Sequence, residues 1–413
     1  MSLDLTSYDA ALKDYYGDQV VENMVYKNNP ALAMIKKFEN FEGRRYPLPT
    51  LYANPQGRSA SFSRAQTRGN VTNSKLDDFL VTRVKDYSVA TIDNETILAS
   101  RSNLGAFMEA ATLEIDGAIN SLTRSIATSL FRSGSGSIGK IKVGSTVAAA
   151  TSIQLNNPED VVNFEVGMEL MVAAAETTGS ERAVGSSGNG LIVTGVNRAY
   201  GSESVSFGYA IDDAANGIPT IAAGDFLFVR GDRNSKLSGF DAWLPDTVSA
   251  SPFFGVDRTV DATRLAGQKL SASGYPIEEA LIEMSALIAR EGGIPDVCFV
   301  SFSKYAQLEK ALGSKVQYID LKANAEISFK GILVNGVKGP IKVIPDQNCP
   351  SDKAYMLQWD SWMLGSIGKA VRVIDTDGLQ MLRQSSSDGV EVRYGMYGNL
   401  MCKRPGFNGK ILF

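Results

Sequence analysis

The sequence predicts a chain of mixed α+β class, organised around one long helix and carrying a separate all-β unit. Three observations lead there. Residues 103–131 hold apolar side chains at three- and four-residue steps, the period of a helix. From 138 to 238 that period vanishes, and short alternating runs rich in Gly, Ser, Ala and Val lie between turn residues, as in a small β-barrel or sandwich. From 276 to 365 helix and strand patterns alternate again.

Composition bounds the chemistry. The 413 residues are 44% hydrophobic and 21% charged, with a net charge of −4. This is ordinary for a globular chain of two or three domains. Lys and Arg are scattered, so no duplex-binding footprint is expected. There is no histidine, which removes Ser-His-Asp and Cys-His mechanisms and all His-ligated metal sites. Cys298, Cys349 and Cys402 are widely spaced without a C-x-x-C. They read as reduced thiols of a cytoplasmic protein, with no structural zinc and no cofactor. The N-terminal stretch MSLDLTSYDAALKDYYGDQ is acidic and lacks an apolar core, so no signal peptide is expected, nor is any apolar run long enough to cross a membrane.

Taken in order, residues 1–42 read as an arm. Tyr15, Tyr16, Val20, Val21 and Met24 form one short helical face, and Leu32, Ala33, Ile35 and Phe38 another. Residues 43–92 read as a long hairpin. GRRYPLPTLYA is extended because Pro47 and Pro49 exclude a helix, and DFLVTRVKDYSVATI is rich in β-branched and aromatic residues. Between them lies a polar stretch with Arg58, Arg64, Arg68 and Lys75 and no acid before Asp77. It is expected to be either a disordered loop or an extended arm lying on a neighbouring subunit. Residues 93–137 carry the long helix. Within 138–238 a faint repeat relates FEVGMELMV at 164–172 to IAAGDFLFV at 221–229. Residues 239–275 return to the main body. PIEEALIEMSALIAREGG reads as a helix with Pro at its start and Gly at its end, DVCFVS as a buried strand, and FSKYAQLEKALG as a second helix. Residues 366–413 are mostly β, alternating around Val390, Val392, Tyr394 and Met396.

Several motifs suggest chemistry. GSGSIGK at 134–140 fits both G-x-G-x-x-G and G-x-x-x-x-G-K. Phosphate loops need a strand before and a helix after, and here the order is reversed; Ile141 also stands where Ser or Thr would bind magnesium. A helix stop is expected instead. Ser301-Phe302-Ser303-Lys304 has the S-x-x-K spacing of serine acyl-enzymes, but S-D-N and K-T-G occur nowhere. A serine at a strand-to-helix junction is expected to cap the helix. Asp375-Thr376-Asp377-Gly378 reads as a turn rather than a calcium loop. Glu278, Glu279 and Glu283 read as a solvated helix face. No catalytic residue is expected.

The order of these parts resembles the major capsid proteins of tailed double-stranded DNA bacteriophages, the Hong Kong 97 fold family. PIEEALIEMSALIAREGGIPDVCFVSFSKYAQLEKALG is similar to the helix–strand–helix of that family's axial domain, here 276–365. FKGILVNGVKGPIKVIPDQNCPSDKAYMLQWDSWMLG resembles the strands that follow, and DGVEVRYGMYGNLMCKRPGFNGKILF the closing strands. RNSKLSGFDAWLP looks like the point where such chains rejoin the core after a β insertion. The resemblance implies an N-arm (1–42), an E-loop (43–92), a spine helix in a peripheral domain, and an inserted domain at 138–238. It further implies a structural protein that assembles as hexamers and pentamers into an icosahedral shell. The shell would enclose DNA without reading its sequence, with scaffolding, portal or cement proteins as possible partners, in a virion assembled in the host cytoplasm. Arg58, Arg64, Arg68 and Lys75 are expected to contact a neighbouring subunit. Some relatives join a Lys of this loop to an Asn; Lys75 lies in the corresponding loop, and the rest of that machinery has no match. The alternatives are an encapsulin-type compartment shell, a His-free hydrolase using Ser301 and Lys304, and a phage tail or adhesion protein.

Overall fold

A computed structural model describes residues 25–93, 95, 104–182, 191–216, 218, 220–313, 317–322, 328–375, 381–384 and 388–413. The first face of the arm, Tyr15 to Met24, and residues 376–378 of the turn at Asp375 lie outside them. The second face forms a short helix, α1 (Pro30–Met34), which buries Leu32, followed by strand β1 (Lys36–Phe38).

Strands β2 (Arg45–Ala53) and β3 (Lys75–Thr82) pair antiparallel as a two-stranded hairpin. Between them, against the expectation of an irregular loop or extended arm, residues Phe62–Gly69 form a helix, α2. The segment read as one long strand is also divided. It breaks at Arg83, whose guanidinium donates to the Phe41 carbonyl at 2.7 Å and lies over the Phe41 ring. Beyond this pin, β4 (Val84–Asp93) leaves the hairpin and joins another sheet.

Helix α3 (Leu104–Phe131) has 28 residues, about 42 Å at 1.5 Å per residue. Ile115, Ile119, Leu122, Ile126 and Leu130 bury its apolar stripe. Gly134 and Gly136 then turn the chain at φ 85° and 83°, values that favour glycine. A Cβ on Gly136 would stand 2.5 Å from the Asp232 carbonyl. The glycines thus end a helix and admit a close backbone approach.

Residues 137–229 form strands β5 (Ser137–Lys140), β6 (Ser152–Ile153), β7 (Glu169–Ala173), β8 (Leu191–Asn197), β9 (Ser204–Phe207) and β10 (Phe226–Val229). They pair antiparallel in the order β5-β10-β7-β8-β9-β6. Lys142 N donates to Gln154 O at 2.9 Å and Asn156 N to Lys140 O at 2.7 Å, so the first and last strands meet and the sheet closes as a small barrel. Its core, including Ile141, Phe164, Leu170, Val172, Leu191, Val205 and Leu227, is separate from the rest of the molecule. The two repeated segments become β7 and β10 and pair with each other, Leu227 opposite Val172. Each is entered through a left-handed glycine, Gly167 at φ 91° and Gly224 at φ 89°.

After α4 (Phe240–Trp243), α5 (Ala262–Ala266) and β11 (Gln268–Ser271), the chain builds a helix–strand–helix: α6 (Ile277–Arg290), β12 (Val297–Val300) and α7 (Phe302–Leu312). Strands β13 (Tyr318–Lys322), β14 (Ser328–Gly336), β15 (Gly339–Pro345) and β16 (Lys353–Leu357) follow. After them come β17 (Trp362–Ser366), β18 (Arg372–Val373), β19 (Met381–Arg383), β20 (Gly389–Cys402) and β21 (Gly409–Leu412). A seven-stranded sheet runs β11-β21-β16-β12-β15-β14-β13; a six-stranded sheet gathers β1, β17, β18, β19 and β4 around β20.

The all-apolar strand β12 has a simple cause. Cys298 and Val300 pack with α6 on one face of the sheet, while Val297 and Phe299 enter the main core on the other. A strand covered on both faces loses its alternation. The main core is aromatic. Phe240 meets Trp362 edge to face at 4.9 Å, and Phe131, Phe299 and Tyr355 surround it.

Candidate assembly interface

The hairpin tip carries the residues singled out from sequence. Arg58, Arg64, Arg68 and Lys75 are all exposed. Arg64 and Arg68 are four apart on α2 and share a face. Arg58 lies in the strand-free approach to α2, which folds back on the helix: a Cβ on Gly57 would stand 2.9 Å from the Cα of Gly69. Lys75 opens β3, opposite Ala53 at the outer end of the hairpin. Among the described residues none of the four forms a side-chain ion pair or hydrogen bond.

The sequence reading missed what α2 itself shows. Not one of its eight residues is buried. Phe62 is 82% exposed and Val71, just past the helix, 76%. So short a helix is marginal in water, and this one has no packing of its own to hold it. The sequence signal was weak: Ser61 stands at the N-cap position, and its side chain makes no capping hydrogen bond.

A polar ladder on α3 fixes the barrel to the body. Arg124 pairs with Glu165, Thr128 donates to Asn163 at 3.4 Å, and Arg132 pairs with Asp160 at 2.6 Å. The spacing of four carries one face of α3 through Arg124 and Thr128 to Arg132, the residue just past its end. Arg132 and Asp160 are largely buried. Burial lifts the Asp160 carboxyl above its usual range against the pull of Arg132, and Arg132 stays charged beside it. Next to this ladder lies a cleft of about 800 Å³. At its wall Lys236 Nζ reaches Asp86 at 2.8 Å, Asp232 at 3.0 Å and the Ser125 hydroxyl at 2.8 Å. Lys236 thus ties β4, α3 and the chain that leaves the barrel together at one point.

The S-x-x-K pair resolves in the same direction. Ser301 is buried, and its Oγ accepts from Lys304 N at 3.4 Å, capping α7. The Lys304 ammonium lies 4.2 Å over the Phe413 ring. Elsewhere, Glu279 and Glu283 are exposed on α6, with Glu278 half-buried beside them. Cys298, Cys349 and Cys402 are free and buried, and burial drives each thiol pKa up, Cys402 to about 12. No group of His, Cys, Asp or Glu suited to a metal occurs among the described residues.

One ionic cluster was invisible in the sequence. Lys410, on β21, is fully buried and contacts Asp241 at 2.6 Å and Asp246. Lys353 reaches Asp241 at 2.9 Å and Asp246 at 3.6 Å. Two lysines thus balance two carboxylates and tie the last strand to α4.

No family model and no curated protein matches the chain. Among solved structures it is similar to the cyanophage A-1(L) capsid asymmetric unit, at 11% identity and TM-score 0.47 over 93% of this chain and 92% of the other. It is also similar to the holo-SrpI encapsulin complex from Synechococcus elongatus, at 10% identity and TM-score 0.41 over 100% and 96%. A third likeness is to a virus-like particle from Pyrococcus furiosus, at 10% identity and TM-score 0.39 over 96% and 99%.

Proposed function

We propose that this chain is a major capsid protein, a structural subunit that assembles in many copies into a closed shell around double-stranded DNA. One observation carries the reading: α2, with no buried residue, stands at the end of a two-stranded hairpin with Phe62 and Arg64 in the open. Such an element is stable only against a surface the single chain does not supply. The order of elements from arm to closing strand, which resembles the Hong Kong 97 capsid family, supplies the context. In this reading the hairpin is the E-loop, α3 the spine of a peripheral domain, the seven-stranded sheet with α6 and α7 the axial domain, and the barrel an insertion. Hexamers and pentamers are the assembling units, the virion is the final location, and DNA is enclosed rather than read.

Sedimentation of the protein expressed alone tests this. The expected result is a particle of many copies, since exposed charge pairs that are weak singly are repeated across a shell. A monomer under every condition, including co-expression with the products of neighbouring genes, contradicts it.

A further inference from the structure

One turn of this chain is strained. Phe253 N donates to Val256 O at 2.9 Å and Val256 N to Phe253 O at 3.0 Å, closing a two-residue turn on Phe254 and Gly255. Both central residues are left-handed, Phe254 at φ 49° and Gly255 at φ 91°. Such a turn prefers Asn-Gly or Gly-Gly. Phenylalanine is an outlier there, because its Cβ crowds the following carbonyl. Four described non-glycine residues have positive φ; the others are Ala149, Asp212 and Asn234, and Phe254 is the one bulky side chain among them. Strain of this kind persists only where the surroundings impose it, and it gathers at switch regions.

The fastening of the turn is itself costly. The Phe254 ring lies 4.4 Å from that of Phe253 and 5.7 Å from that of Trp243. The buried Arg258 guanidinium lies 4.1 Å over the Phe253 ring and donates to the carbonyls of Ala242 at 2.9 Å and Trp243 at 3.3 Å. It has no ion pair among the described residues, and burial lowers its pKa to about 10. Burying a cation without a carboxylate is unfavourable.

What the turn holds is the root of the hairpin. Leu80 N donates to Phe254 O at 2.8 Å. Leu80 stands opposite Pro47 on β2. Proline has no N–H, and the alternation of an antiparallel ladder aims the Leu80 amide away from β2. Phe79, beside it, is fully buried and meets Trp243 at 5.1 Å and Phe253 at 6.3 Å. Residues 249–252 before the turn and 259–260 after it are exposed, so the chain on both sides is free to yield.

We propose that residues 253–258 are a strained latch on the hairpin. With Phe254 left-handed, its carbonyl pins Leu80. When the turn relaxes to negative φ, the carbonyl swings off and the hairpin pivots about the contact of Arg83 with Phe41. This goes beyond the shell reading and concerns a single chain, so it stands or falls whether or not particles form.

Hydrogen exchange of single amides in the folded protein, read by fragmentation mass spectrometry, tests it. Phe254→Ala and Phe254→Gly both lose the ring, and only alanine still bears the left-handed strain. Leu80 is expected to exchange at least threefold faster in the alanine variant than in the glycine variant. Phe79 and Val81, whose amides point into the hairpin, are expected to exchange alike in both. Phe254→Asn, which tolerates the left-handed region, is expected to match glycine and replaces it should the glycine variant fail to fold by circular dichroism. Equal rates at Leu80 overturn the proposal. So does a parallel rise at Phe79 and Val81, because the hairpin would then be unravelling instead of pivoting. Spin labels at Ser59→Cys and Ser273→Cys, with labelled copies diluted among unlabelled ones, are expected to show a second distance in the alanine variant. One unchanged distance in both variants overturns the pivot.

Discussion

At the residue scale, side chains that looked like chemistry in sequence are mostly fasteners in three dimensions. Ser301 is the plain case: buried at a strand-to-helix junction, it caps α7. Ser301→Ala is expected to cost about 1 kcal/mol of stability and to leave particle yield unchanged; labelling of Ser301 by a fluorophosphonate probe would contradict this. That cap was legible because local chain chemistry decides it. The Lys410 cluster was not, since Asp241 and Lys410 lie 169 residues apart and no local pattern joins them. Removing one partner of a buried ion pair typically costs about 3–5 kcal/mol, so Lys410→Ala is expected to lower unfolding free energy by about 3 kcal/mol in urea denaturation. The pH dependence has a definite sign. Burial pushes the Asp246 carboxyl up, but Lys353, Lys410 and Lys269 outweigh it and hold the pKa below the ordinary value. A depressed folded-state pKa gives stability that is present above the unfolded value, about 3.9, and lost as pH falls through the folded one. Asp246→Asn should therefore narrow the loss of thermal stability between pH 5 and pH 2; an unchanged profile would argue against it.

At the element scale, long periodic segments were readable and contacts between elements were not. The apolar stripe of α3 is visible because its period persists over 28 residues. Its second stripe, Arg124, Thr128 and Arg132, has the same spacing but no signature, because polar residues on a helix usually face water. Only the barrel's Asp160, Asn163 and Glu165 give it meaning. Arg132→Ala leaves Asp160 buried without its partner and is expected to cost about 3 kcal/mol, measured by denaturant unfolding, with Arg132→Lys recovering part. The tip helix escaped for a different reason. It lacks an inward apolar face, the very feature that sequence periodicity detects, and its exposed Phe62 reads as loop composition. The break at Arg83 was equally hidden, since DFLVTRVKDYSVATI is uniformly strand-like and only the contact with Phe41 divides it.

At the scale of the whole molecule, the α+β class and the order of parts were legible, because each part has its own composition: arginine-rich tip, periodic helix, Gly/Ser-rich barrel, alternating α/β. Closure of the barrel was not, as β5 must pair on one side with β10, far along the chain, while its end meets the β6 segment on the other. The account's central claim is that the chain is incomplete alone and becomes complete as a shell. Electron microscopy of the purified protein, expressed alone or with its neighbouring genes, tests that most directly. The account predicts closed particles with five- and six-fold vertices, each hairpin tip resting on an adjacent copy. Isolated monomers throughout, or tips free of any neighbour within assembled particles, would contradict it.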